Sequence, residues 1–213
     1  MVELDWKTRL AIGIAFLIFH MGGYALVALV PHYAVLDGSI WLDRLIPFAP
    51  WWVVIYTLGN VFYLVPFVLV RDSWRFTRMA IGFFAVVTIA FLVFVAVPLE
   101  VKTDLIYGPD AVSQYVDGLH HRDTPFNSFP SLHVTLTVFA WLIILLESRR
   151  LGLWTAPLAL GIVVSVLFVK QHVVIDLVAG LVLGALAYIW VTHPKGRFGV
   201  SRLERAMHVL FKF

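Results

Sequence analysis

Apolar residues run along this chain in long unbroken blocks, not in the alternating or three-to-four spacing of half-buried elements. The blocks 10–30, 51–70 and 79–98 each approach the roughly 20 residues that a helix needs to cross a bilayer. A fourth block, 132–147, is shorter and borrows from its neighbours. The fifth, 153–192, would be about 60 Å long as one helix, twice the thickness of a hydrocarbon core. Its only polar cluster is Lys170-Gln171-His172 with Asp176, so the chain is expected to turn there into spans 153–170 and 174–192. The pattern predicts an all-α polytopic membrane protein: six transmembrane helices in a single bundle, one domain over residues 1–213.

Composition agrees with that class. Hydrophobic residues make up 61% and charged residues 14%, against about 25% charged in a soluble domain. There is no cysteine, so disulfides and thiol chemistry are excluded. Basic residues set the orientation, because they collect on the cytoplasmic side of spans. With the N-terminus in the cytoplasm, Lys7, Arg9, Arg71, Arg75, Arg78, Arg149, Arg150 and the basic residues from Lys195 onward all lie inside. Only Arg44, Lys102 and Arg122 fall outside, with Lys170 at the last turn. Both termini are then cytoplasmic, and 193–213 reads as a basic amphipathic tail on the inner leaflet. The positive excess serves topology and anionic lipid; no compact basic domain suggests nucleic acid.

The chemistry gathers at two edges of these blocks. Phe129-Pro130-Ser131-Leu132-His133 opens the fourth span, and His172 with Asp176 opens the sixth. The predicted topology brings both to the outer face. One span more or fewer between them would have put them in opposite compartments. Asp176 lies four residues after His172, hence on the same helix face. It can hold one ring nitrogen and leave the other as a lone-pair nucleophile, the orienting role of a triad carboxylate. His133 can act as the acid for a departing oxygen. Ser131 can bind phosphate or cap its helix, and Lys170, with Arg122, Lys102 or Arg44, can offset phosphate charge. Metal ligation by His133, His172 and Asp176 is open by residue type, but no H-x-x-x-H pair occurs, so neither metal nor cofactor is expected. His20, His32, His120, His121, His193 and His208 read as membrane-interface residues. Asn60, Tyr56 and Tyr63 read as interhelical polar contacts, and Gly180 with Gly184 as a packing face.

At these residues the chain resembles the type-2 phosphatidic acid phosphatase superfamily, related in its site to the vanadium haloperoxidases. It looks closest to the aureobasidin-resistance branch, the inositol phosphorylceramide synthases. The family's Pro-Ser-Gly-His stands here as Pro130-Ser131-Leu132-His133. Its Ser-Arg, five residues, His, three residues, Asp stands as Ser165, His172 and Asp176, with Val166 in place of the Arg. Lys170-Gln171-His172 and Asn127, in an Asn-x-Phe-Pro-Ser-Leu-His pattern, fit the branch. The first signature, Lys, six residues, Arg-Pro, is absent, and Arg122 and Lys102 are the nearest substitutes. The resemblance implies a six-helix bundle with a metal-free site at the outer face. In it His172 is the nucleophile forming a phosphohistidine, Asp176 its partner and His133 the acid–base. Ser131, Lys170, Arg122, Asn127 and Lys102 are the implied phosphate-binding set.

The expected function is hydrolysis of a phosphomonoester or diphosphate of a membrane lipid on the extracytoplasmic face of a plasma or inner membrane. The first alternative is transfer of a phospholipid headgroup by the same histidines, as in the synthase branch. A small transporter or channel is more distant, since ionisable residues gather at one face and are not spread through the depth of the spans. The expected partners are the bilayer and its lipid phosphate, with room left for a homodimer.

Overall fold

Asp5 begins the first helix, its carboxylate accepting from the amides of Lys7 and Thr8 at 2.8 and 3.0 Å, which satisfies two donors that no helical carbonyl reaches. From there α1 (Trp6–Val27) runs 22 residues. The computed structural model describes residues 4–31, 35–101, 105–122 and 126–193. Lys102 and the predicted tail from 194 onward lie outside the described residues. After α1 come β1 (Leu36–Asp37), α2 (Trp41–Leu45), a 3-10 turn at Pro50–Trp52, α3 (Val53–Phe62), α4 (Val65–Leu69) and α5 (Ser73–Ala96). The chain continues through β2 (Leu99–Glu100), α6 (Ala111–Arg122), α7 (Leu132–Glu147), α8 (Arg149–Phe168) and α9 (Val174–Thr192).

Among the described residues, five segments are long and apolar enough to cross a membrane: Trp6–Val27, Pro50–Leu69, Ser73–Ala96, Arg149–Phe168 and Val174–Thr192. Leu132–Glu147 is a shorter apolar helix. Two features depart from the expected pattern. Block 51–70 is not one continuous helix but breaks at Tyr63 and Leu64. Pro66 has no amide hydrogen to give the carbonyl four residues back, and its ring crowds that turn. The stretch 99–130, expected as loop, contains α6, whose Val112, Val116 and Leu119 pack on Val53 and Val169.

The core is rich in phenylalanine. Phe16, Phe67, Phe83 and Phe139 meet edge-to-face, tilted or stacked at centroid distances of 4.6–5.4 Å. Such ring pairs contribute about 0.5–1.5 kcal/mol each beyond the area they bury. Outward positions stay apolar as well: Leu29, Val68 and Leu92 are exposed. In water that would be an aggregation surface; against lipid chains it is the expected one.

The bundle has two unlike ends. At one, Arg9 donates to the Val68 carbonyl, Arg75 pairs with Glu147 at 3.1 Å, and Arg78 closes the end of α9 through the carbonyls of Trp190 and His193 at 3.0 Å. At the other, β1 pairs in parallel with β2, Leu99 bridges to Asn127, and the Ala49 amide donates to the Phe168 carbonyl at 2.9 Å. The candidate site lies at this second end.

Candidate active site

The turn between α8 and α9 carries the site. Lys170 adopts φ 58°, a left-handed conformation that costs a residue with a Cβ about 1–2 kcal/mol. Three sets of bonds hold it there. The amides of Gln171 and His172 both donate to the Val166 carbonyl, at 3.1 and 3.2 Å. The Lys170 ammonium donates to the carbonyls of Asp43 and Ile46 at 2.9 and 2.6 Å. The Asp43 carboxylate in turn accepts from the Val174 amide at 2.8 Å, capping α9 from a loop 131 residues away in sequence. Burial lowers the pKa of Lys170, and the Asp43 carboxylate opposes that shift.

Asp176 has no solvent exposure. Its Oδ2 accepts from the Val173 amide at 3.0 Å and faces His172 Nδ1 at 3.3 Å. With its proton on Nδ1, the ring donates to the carboxylate, and Nε2 keeps its lone pair. The Asp176 backbone carbonyl accepts from the Ser131 amide at 3.1 Å, tying the starts of α7 and α9 together. Glycine makes that approach possible. A Cβ on Gly180 would sit 2.7 Å from the Ser131 carbonyl oxygen, and one on Gly184 2.7 Å from that of Thr135. The pair is a packing face, and the partner it packs on is the helix that carries His133.

His133 is in the first turn of α7. Its ring stacks on Tyr56 of α3 with centroids 4.1 Å apart and planes 7° from parallel. Its Nε2 is buried without a hydrogen-bond partner. A Cβ on Gly59, one turn beyond Tyr56, would lie 2.2 Å from that nitrogen, so the ring's position depends on glycine there.

A cavity of about 410 Å³ joins these groups; His172, His133, Asn127 and Lys170 all line it. Asn127 is 3% exposed, and neither its amide nitrogen nor its oxygen has a partner. Ser131 is wholly buried; its hydroxyl accepts from the Val134 amide at 3.4 Å as the α7 cap, and it is not among the cavity-lining residues. Arg122 is exposed at the end of α6, away from the cavity wall. Lys102 lies outside the described residues. Lys170 is therefore the one Lys or Arg among the described residues that lines the cavity, and backbone carbonyls already hold it. Among the described residues no group of three or more His, Cys, Asp or Glu side chains has the arrangement of a metal site.

Other cavity residues were not expected. His20 and His120, read as interfacial, line it, as do Tyr63 and Asn60, read as interhelical contacts. His120 comes from α6 and meets the Tyr107 hydroxyl through Nδ1 at 2.6 Å. Burial lowers the His120 pKa and raises that of Tyr107. One signal for His20 was present, an ionisable residue inside an apolar span. Gly59 carried none, because its neighbour in space is 74 residues away in sequence.

The sequence model of the PAP2 superfamily matches residues 79–198, a stretch that runs from within α5 through α9 and includes every expected site residue except Arg44. No curated protein and no solved structure matches the chain.

Proposed function

Because the chain belongs to the PAP2 superfamily, whose members are phosphatases or phosphotransferases, we propose that it is an integral membrane lipid-phosphate phosphatase working through a phosphohistidine on His172. The observation that carries this reading is the His172–Asp176 pair, 3.3 Å apart with the carboxylate fully buried, opening on a cavity shared with His133. His172 Nε2 attacks phosphorus in line and the lipid oxygen departs, taking a proton from His133. Asp176 stabilises the imidazolium that forms on His172. Water then attacks the phosphohistidine and gives its proton to His133, returning both rings to their starting state. Asn127 and the first turn of α7 hold phosphate oxygens, while Lys170 lines the cavity with its ammonium tied to the carbonyls of Asp43 and Ile46. No metal takes part.

The same reading gives the chain six spans, the shorter helix Leu132–Glu147 counted as the fourth in chain order, in one domain with both termini cytoplasmic. The site then faces the extracytoplasmic side of a plasma or inner membrane. Supporting this, the end bearing Arg9, Arg75 and Arg78 is opposite the end bearing His172, as the positive-inside rule requires. A second reading, headgroup transfer to a lipid alcohol in the manner of the aureobasidin-resistance branch, draws on the cavity volume. About 410 Å³ is room for a small molecule, more than a water acceptor needs.

The test is phosphate release from phosphatidic acid by purified protein and by His172→Ala, with acid-labile phosphoenzyme trapped in parallel. Wild type should release phosphate and label, and the variant should do neither. Equal release by both would remove His172 from the nucleophile role. Release without label would remove the covalent intermediate.

A further inference from the structure

The cavity does not end at the catalytic histidines. His20 lies seven residues before the end of α1 and Tyr63 ten residues past the start of α3. Gly59 of α3 lies against His133, and Tyr63 comes four residues later on that helix, so at 1.5 Å per residue the His20–Tyr63 pair is about 6 Å deeper in the bundle than His133. His20 Nδ1 is 3.2 Å from the Tyr63 hydroxyl. The imidazole stacks on Phe16 at 6.0 Å, so its orientation is fixed from the other side. Asn60, one turn before Tyr63 on α3, adds an amide to the same wall. His20, Asn60 and Tyr63 line the same cavity as His133 and His172, so the polar groups run inward from the catalytic pair. None of His20, Asn60 and Tyr63 falls within the family match at 79–198.

A polar floor at this depth is unusual. Ionisable side chains are rare inside spans and mark sites when they occur, and the surrounding core is phenylalanine. Met21, the residue after His20, lines the cavity and is 59% exposed, so the cavity wall reaches the surface of α1. A lipid sliding in from the bilayer would put its phosphate at His172 and the atoms between phosphate and tail beside His20 and Tyr63. For an isoprenyl phosphate those atoms are bare hydrocarbon. For a glycerolipid or sphingoid phosphate they carry ester, amide or hydroxyl groups.

Building on the phosphatase reading, we propose that His20 and Tyr63, with Asn60, form a subsite that hydrogen-bonds the polar backbone of the lipid substrate and selects phosphates of glycerol or sphingoid lipids over isoprenyl phosphates. The shared chemistry is an ester, amide or hydroxyl within a few bonds of the phosphate.

The experiment measures binding separately from turnover. Non-hydrolysable phosphonate analogues of dioctanoyl phosphatidic acid, sphingosine 1-phosphate and farnesyl phosphate are titrated into wild type, Tyr63→Phe and His20→Phe in detergent, beside phosphate release by wild type. Both substitutions keep an aromatic ring in place, so the packing is retained. At least one backbone-bearing phosphonate should bind wild type ten or more times tighter than the farnesyl compound. Each variant should weaken it about three- to tenfold, the effect of one hydrogen bond, and leave farnesyl binding unchanged. Which of the two backbones responds identifies the lipid class. Equal affinities in wild type, equal weakening of all three compounds or a preference untouched by either variant would each overturn the subsite. Failure of all three to bind would do the same. Absence of phosphate release with the binding preference intact would instead count against the phosphatase reading alone.

Discussion

Gly59→Ala tests the site through a residue that belongs to no motif. The change adds one methyl group in the middle of α3, where alanine favours helix over glycine by about 1 kcal/mol. On propensity alone the variant should be slightly more stable. The added Cβ, however, would sit 2.2 Å from His133 Nε2, 2.6 Å from Cε1 and 2.9 Å from a methyl of Ile162. Ordinary contact lies at roughly 3.5–4.0 Å, so the imidazole must retreat by more than about 1 Å. It cannot slide within its own plane without leaving the Tyr56 ring stacked 4.1 Å away. A displacement of about 1 Å in a catalytic group lowers rate on the order of 100-fold. The assay is kcat for phosphate release from a lipid phosphate, with the melting temperature recorded in the same detergent. Gly22→Ala, with nothing within 4 Å of its added Cβ, is the matched control and should keep full activity. A folded Gly59→Ala protein with wild-type kcat would mean that His133 does not act from the position described.

Three further outcomes follow from the same geometry. Lys170→Met removes a charged donor from two backbone carbonyls; it should lower stability by about 1.5–3 kcal/mol as well as kcat/KM, and an unchanged melting temperature would refute the bracing role. Gly180→Leu should drive α7 off α9 at the Ser131 carbonyl, 2.7 Å from the added Cβ. Turnover should then be lost with the protein still helical by circular dichroism; a fully active variant would show that the two helix starts need not touch. Vanadate, which resembles five-coordinate phosphorus, should inhibit at micromolar levels while EDTA leaves the rate unchanged, and strong loss in EDTA would call for a metal.

What could be read from the sequence follows the range of the interactions involved. His172 and Asp176 are four residues apart, and that spacing alone puts them on one helix face. Their meeting with Ser131 and His133 followed from counting apolar blocks, a consequence of bilayer thickness. The break at Tyr63 had a visible cause in Pro66, but the unbroken apolar run around it concealed the effect. In α6 the spacing of Val112, Val116 and Leu119 is helical, yet the segment is polar enough to pass for loop until Val53 and Val169 cover that face. Lys170 was expected to reach for phosphate. It is held instead by Asp43 and Ile46, 127 and 124 residues away in sequence, and no local pattern could report such partners. His20, read as interfacial, sits inside an apolar span, and its place on the cavity wall beside Tyr63 depends on a partner 43 residues away in sequence.

The distribution of charge bears on how a phosphate is held here. Where the family pattern has arginine, Val166 is fully buried beside Val134 and Val163, so no side-chain rotation can return a cation to that place. Lys170 is committed to carbonyls and Arg122 is exposed away from the cavity. Besides the imidazolium that His133 carries in the proposed mechanism before it protonates the departing oxygen, two sources of positive charge remain. One is the N-terminal end of α7, whose first residues, Leu132 and His133, line the cavity; a helix end of this kind favours an anion by about 0.3–1 kcal/mol, up to ~2 when partly buried. The other, in the proposed mechanism, is His172 itself, which turns cationic only as its nitrogen bonds to phosphorus, with the buried Asp176 carboxylate 3.3 Å away to receive that charge. A weakly positive resting site binds the ground-state phosphate loosely and gains complementarity as the bond forms. Interactions of that order lower the barrier to reaction more than they tighten substrate binding, which is how the proposed phosphoryl transfer is compatible with a site that has one tethered lysine.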